Sequence, residues 1–169
     1  MSPKVLRKQP NSHMCFVCGL GNPFGLQARF YEIEGKELVG LFTPSVEHQG
    51  YPGRLHGGIA STILDETVGR AVLIDHEDSW WVTTDLSLRY RKPVLLDGPI
   101  RVVGRITGNR GKIYEGSGEV LLADGTLAVS ATGRYLIQRI EEITENDNFA
   151  GEMWNVVSES TDPHSIPLN

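Results

Sequence analysis

The chain has 169 residues, 40% of them hydrophobic and 22% charged, with 19 Gly and 9 Pro. That length and composition suit one domain, leave no room for two with full cores, and exclude a wholly disordered chain. No run approaches the ~18 consecutive apolar residues of a membrane span, and residues 1–10 lack the apolar stretch of a secretory leader, so no membrane association and a cytoplasmic location are expected.

The formal net charge of -5 is unevenly spread. Residues 140–169 hold Glu141, Glu142, Glu145, Asp147, Glu152, Glu159 and Asp162 with no Lys or Arg. Residues 89–112 hold Arg89, Arg91, Lys92, Arg101, Arg105, Arg110 and Lys112 against Asp97 alone. A local basic segment on an acidic chain suits a small anionic ligand better than a long nucleic acid, or is the solvated face of strands.

In chain order, residues 1–12 read as a mobile lead-in and 13–25 as a turn-rich entry. The entry contains a lone CxxC, Cys15 and Cys18. Structural zinc ordinarily takes four ligands and the chain has no second pair; His13 or a second copy could add ligands, but nothing in the sequence requires either. A redox pair of thioredoxin type sits between a strand and a helix, whereas turn residues Gly19, Gly21, Asn22, Pro23 and Gly25 follow this one. Ordinary packing is expected, with no metal and no cofactor.

Two short strands, 26–33 and 36–43, flank a Glu34-Gly35 turn. A loop with Glu47, His48, Gln49, Gly50, Pro52 and Gly53 then leads to one clear helix, 57–74, whose apolar residues Ile59, Ala60, Ile63, Leu64, Val68, Ala71, Val72 and Ile74 follow helical spacing. The apolar face is wide, so much of this helix should be enclosed. From Val82 a strict alternation places Val82, Thr84, Leu86, Leu88 and Tyr90 on one face and Thr83, Asp85, Ser87, Arg89 and Arg91 on the other, until Pro93. Strands at 99–107, 112–123 and 126–137 follow with short turns, which reads as an antiparallel meander. The expected class is α+β, in the order β-β-α-β-β-β-β: a curved antiparallel sheet of six strands wrapped around one long central helix. Residues 26–139 form this domain, preceded by 1–25 and followed by an acidic tail, 140–169, that either docks through Phe149 and Trp154 or stays disordered.

Gly57 and Gly58 open the helix, although each Gly costs roughly 1 kcal/mol relative to Ala. Their amides lie at the positive end of the helix dipole, where an anion or developing oxyanion could be held; the alternative is close packing of helix on sheet. Asp65 lies mid-helix among enclosed residues, where a carboxylate is costly without a purpose, and its neighbours Ser61, Thr62, Val68 and Gly69 leave room for a ligand. Glu66 has a simpler explanation, a surface ion pair with Arg70 four residues on. Asp65 is therefore the preferred catalytic carboxylate. Eight residues separate it from Gly57, ~12 Å along the axis, so one helix cannot bring both to one carbonyl. A site using both must straddle a two-fold interface between two copies of the chain.

The run His56-Gly57-Gly58-Ile59-Ala60-Ser61-Thr62-Ile63-Leu64-Asp65-Glu66 resembles the signature of hotdog-fold acyl-CoA thioesterases, most closely the PaaI-like branch of the phenylacetate pathway. The segment from Val82 to Pro93 resembles that branch's next strand, and the likeness covers about residues 26–138. The resemblance implies hydrolysis of an acyl-CoA by a homo-oligomer, a dimer with shared sites or a tetramer. It implies that the Gly57 amide polarises the thioester carbonyl, that Asp65 acts as nucleophile or general base, that Thr83 helps to place water, and that His56 shapes the site. Gln49 is the nearest match to a loop amide that contacts the carbonyl. Gly58 and Glu66 adjoin these positions and are counted with the substrate-contacting residues. Arg89, Arg91, Lys92, Arg110 and Lys112 could pair with the phosphates of coenzyme A. Two other readings stay open: a hydratase or dehydratase pairing His48 with Glu66, and an acyl-CoA-binding protein without turnover.

Overall fold

The computed structural model describes residues 2–77, 79–144 and 154–169. Among the described residues seven strands form one antiparallel sheet: β1 Val5–Lys8, β2 Arg29–Ile33, β3 Glu37–Phe42, β4 Trp80–Tyr90, β5 Ile100–Arg110, β6 Ile113–Leu121 and β7 Leu127–Gln138. A 3₁₀ turn, Val46–His48, precedes the central helix α1, Gly57–Arg70, which tightens into a second 3₁₀ stretch, Ala71–Ile74. The class is the expected α+β, with one more strand than expected.

The additional strand is β1, inside the segment expected to be a mobile lead-in. It pairs with β2 through Val5↔Ile33, Arg7↔Glu32 and Lys8↔Tyr31. Charge pairing fixes it: Arg7 reaches Glu32 at 2.7 Å, and Lys8 reaches Asp162 at 2.6 Å and Glu159 at 3.1 Å.

The sheet order is β1-β2-β3-β5-β6-β7-β4, which corrects the simple meander. Strands β5, β6 and β7 do run as a meander. Strand β4 does not join β5; it pairs with β7 at the far end, and β5 pairs instead with β3. The helix lies on the concave face, burying Ala60, Ile63, Leu64, Thr67 and Val68. Close approach is possible because strand positions beneath it lack side chains: a Cβ at Gly104 would sit 2.6 Å from the Thr67 carbonyl oxygen, and one at Gly116 would sit 2.4 Å from a Val68 methyl.

Residues 154–169 of the expected tail dock on the domain. Trp154 tilts against Trp80 with ring centroids 5.1 Å apart, Asn155 exchanges backbone hydrogen bonds with Asn11 at 2.8 and 3.1 Å, and Ile166 is buried against β1 and β2. Phe149, the other expected anchor, lies outside the described residues. The docked tail covers the outer edge of β1, where Val5 N–H donates to the His164 carbonyl at 2.9 Å. Nothing among the described residues pairs with the outer edge of β4.

Candidate active site

Position 65 falls on the flank of α1 that faces β4. Its carboxylate is half-buried, and Oδ1 accepts a hydrogen bond from the Thr83 hydroxyl at 2.9 Å. Burial pushes the Asp65 carboxyl above its ordinary value, and the nearby Glu66 charge adds to the rise; the hydroxyls of Thr83 and Tyr135 oppose it.

Strict alternation would have turned Thr83 away from the helix. It faces the helix because β4 carries a bulge: Thr83 lies opposite Tyr135 and Asp85 opposite Arg134, so Thr84 is an extra residue. Before the bulge Trp81 and Thr83 face α1, the Trp81 ring pressed so closely on Gly69 that a Cβ there would lie 2.1 Å from its Nε1. After it, Leu86, Leu88 and Tyr90 face the helix side. The single-face assignment of Val82, Thr84, Leu86, Leu88 and Tyr90 is thus corrected: the bulge brings Thr83 onto the side of Leu86, Leu88 and Tyr90. Sequence reasoning missed two tyrosines. Tyr135, fully buried on β7, donates to the Asp65 main-chain carbonyl at 3.3 Å, and burial raises its own pKa. Tyr90, 54% exposed, donates to the Gly57 carbonyl at 2.8 Å. The only available signal was a hydroxyl-bearing ring at a helix-facing strand position.

At the start of α1, His56 is the N-cap. Its Nδ1 accepts from the Gly58 N–H at 2.9 Å, which engages one of the two glycine amides. The Gly57 N–H has no hydrogen-bond partner among the described residues and is exposed. Gly57 and Asp65 belong to one unbroken helix, so the ~12 Å separation expected from their spacing holds within a chain. Gln49 is exposed beside this end: it forms a bridge with Leu55, and its Oε1 accepts from the Gly53 N–H at 3.3 Å.

The remaining candidates fall elsewhere. Glu66 binds Arg70 at 2.6 Å, but this is no surface pair, because the Arg70 side chain is 0% exposed. Its guanidinium lies 4.4 Å from the Phe30 ring centre and 4.6 Å from that of Trp154. Buried His48 accepts from the Ser45 N–H at 3.1 Å, and no hydrogen bond joins it to Glu66. The basic residues divide into two groups. Arg89, Arg91 and Lys92 lie at the end of β4 that faces Ser130 and Ala128, whereas the Arg110–Lys112 hairpin lies beside Leu136 and Ile137. At ~3.3 Å per strand residue these groups are roughly 20–25 Å apart. Arg105 is engaged by Glu37 and Glu119, and Arg101 by the tail and the Ala123 carbonyl.

Residues 52–129 match the family model of the thioesterase superfamily. Mouse acyl-coenzyme A thioesterase THEM4 is 30% identical over 122 residues, which is 72% of this chain and 50% of that protein. An uncharacterised protein of Schizosaccharomyces pombe is 31% identical over 111 residues, 63% of each chain. The chain thus spans about half to three fifths of these relatives. Among solved structures, a thioesterase superfamily protein superposes with a TM-score of 0.67 at 27% identity, covering 73% of this chain and 60% of that one. A Bacillus halodurans protein crystallised with CoA gives 0.55 at 24%, covering 59% and 66%, a likeness of fold.

Proposed function

Starting from a chain whose residues 52–129 match the thioesterase superfamily, we propose that it hydrolyses acyl-CoA thioesters at a site shared between two copies. The observation that carries this reading is the half-buried Asp65 carboxylate held by Thr83 on the bulged strand β4. With Oδ1 engaged, Oδ2 is the oxygen that faces water or the thioester carbon. As general base it takes a proton while water adds to the carbonyl; as nucleophile it adds directly, and water then cleaves the anhydride. Either route builds negative charge on the carbonyl oxygen. The Gly57 N–H of the second copy, at the positive end of its helix, is the donor for that charge. Collapse expels the CoA thiolate, and the products are the free acid and CoA.

The acyl-coenzyme A thioesterase name of the THEM4 relative and the CoA in the Bacillus halodurans structure support the substrate class. The sequence motifs favour the PaaI-like branch. Of the two basic groups, Arg89, Arg91 and Lys92 flank Tyr90, whose hydroxyl reaches the Gly57 carbonyl, and they are the set proposed to meet the CoA phosphates. Gln49 and His56, at the same helix end, are proposed to border the carbonyl.

The test is CoA release from phenylacetyl-, benzoyl-, short-chain and long-chain acyl-CoAs, wild type beside Asp65→Asn. Turnover on at least one ester, reduced about 100-fold or more in a folded Asp65→Asn protein, is the expected result. Undiminished turnover in that variant would overturn the assignment of Asp65. Tight binding without turnover on every ester would move the protein to the acyl-CoA-binding reading.

A further inference from the structure

The CxxC turn takes no part in the proposed hydrolysis, yet its geometry is closely determined. The Sγ atoms of Cys15 and Cys18 and a carboxylate oxygen of Glu66 all lie within 4.8 Å of one another. Two backbone amides, of Val17 and Cys18, donate to the Cys15 sulfur at 3.3 and 3.4 Å, and the Ser12 hydroxyl lies 3.4 Å from the Cys18 sulfur. The turn itself is locked. Gly19 N–H donates to the Cys15 carbonyl at 2.8 Å, and a Cβ at Gly19 would lie 2.4 Å from that oxygen. The Asn11 side chain ties the Cys18 carbonyl to the Ala28 carbonyl at 2.7 and 2.8 Å.

The third donor is equally fixed. Arg70 holds one oxygen of Glu66 at 2.6 Å, and its own position is set by the Phe30 and Trp154 rings and by the Pro10 carbonyl at 2.9 Å. This is the outer-shell support that orients a ligating carboxylate. The cluster borders a cavity of about 460 Å³ walled by Trp80, Trp81 and Trp154.

Two packed thiols need neither paired amide donors on one sulfur nor a carboxylate beside them. Thiolates acting as ligands use both. With both sulfurs ionised, the cluster carries three negative charges against the single positive charge of Arg70, a deficit of two. We propose that Cys15, Cys18 and Glu66 bind a thiophilic divalent cation of the zinc class, leaving a fourth coordination position towards the cavity. Two sulfurs and one carboxylate favour such an ion over magnesium or calcium, and three protein ligands make an open rather than a closed site. Loading displaces the two thiol protons to solvent and involves no oxidation. Spacing in the sequence could not reveal the site, because its third ligand comes from α1.

The experiment uses the full chain, reduced and stripped by a chelator, then titrated with Co²⁺ as the probe. The expected result is one Co²⁺ per chain with sulfur-to-metal charge-transfer absorption, displaced by Zn²⁺. Glu66→Gln should keep that absorption and weaken affinity by at least ~10-fold, and Cys15→Ser/Cys18→Ser should lose it. Should the double variant fail to fold, alkylation of the wild-type thiols gives an independent readout: stoichiometric Zn²⁺ should slow it at least ~10-fold, as thiolates held by metal are no longer free nucleophiles. Absence of the absorption, equal alkylation rates with and without Zn²⁺, or absorption that survives in a folded double-Ser protein would each overturn the proposal.

Discussion

Asp65 illustrates how a residue's environment couples stability to chemistry. Its carboxyl titrates above its ordinary value because burial disfavours the charge. A carboxyl raised in the folded chain binds its proton more tightly there than in the unfolded chain. Its favourable contribution is therefore complete below the unfolded value and is lost as pH rises through the folded one. At neutral pH the ionised group opposes folding, so Asp65→Asn should raise the thermal midpoint while abolishing turnover, and calorimetry beside the CoA assay checks both together. The acid limb of kcat/KM should lie above the carboxyl's reference value of 3.8. Thr83→Val removes a hydrogen bond that favours the charged form, so that limb should move to still higher pH, with kcat reduced about 10-fold. A limb that stays in place would show that Thr83 does not act on the carboxylate that titrates.

Elements differ in how openly the sequence announces them. Helix α1 was legible because its apolar residues recur at helical spacing, and its start was legible from the Gly57-Gly58 pair. Strand β1 was not: Val5, Leu6, Arg7 and Lys8 have no periodicity, and the strand is held by partners such as Glu32 and Asp162 that lie far along the chain. The β4 bulge was hidden because alternation looks unbroken when Thr84 simply takes the next place in the pattern; only pairing with β7 reveals the extra residue. Deleting Thr84 removes only the extra residue and leaves Thr83, Leu86, Leu88 and Tyr90 on the helix side of a regular ladder, so hydrolysis should fall by less than about 10-fold while the sheet signal in circular dichroism persists. Burial of Arg70 was missed for a related reason, since spacing supplies its partner Glu66 but not the rings that cover it. Arg70→Ala should cost about 3–5 kcal/mol in urea unfolding, as it leaves Glu66 without its counter-charge. The tail depends on Glu159, which Arg29 and Lys8 hold down to about 2. Its docking contribution is present above the ordinary carboxylate value of 4.5 and is lost as pH falls towards that lowered value. Proteolytic sensitivity of the tail should therefore rise across this window, ahead of global unfolding.

For the whole molecule, the two ends of the sheet are treated differently. Residues 154–169 cover β1, whereas among the described residues nothing pairs with the outer edge of the eleven-residue strand β4, which lies beside the exposed Gly57 and the half-buried Asp65. A long strand edge is a template for pairing with another chain, and the proposed hydrolysis requires a second copy to bring a glycine amide to each Asp65. Mixing protomers tests this most directly. Gly57→Pro removes the amide at the first helical position, where proline is accepted, and a Cβ there meets the Tyr90 ring only at an ordinary 3.5 Å. Co-expressed with Asp65→Asn under separate tags, it should form mixed dimers in which one of two sites is intact. A statistical mixture should then recover about a quarter of wild-type turnover from two inactive parents. Mixed dimers that form but recover nothing, or either parent retaining full turnover alone, would contradict a site shared between two chains.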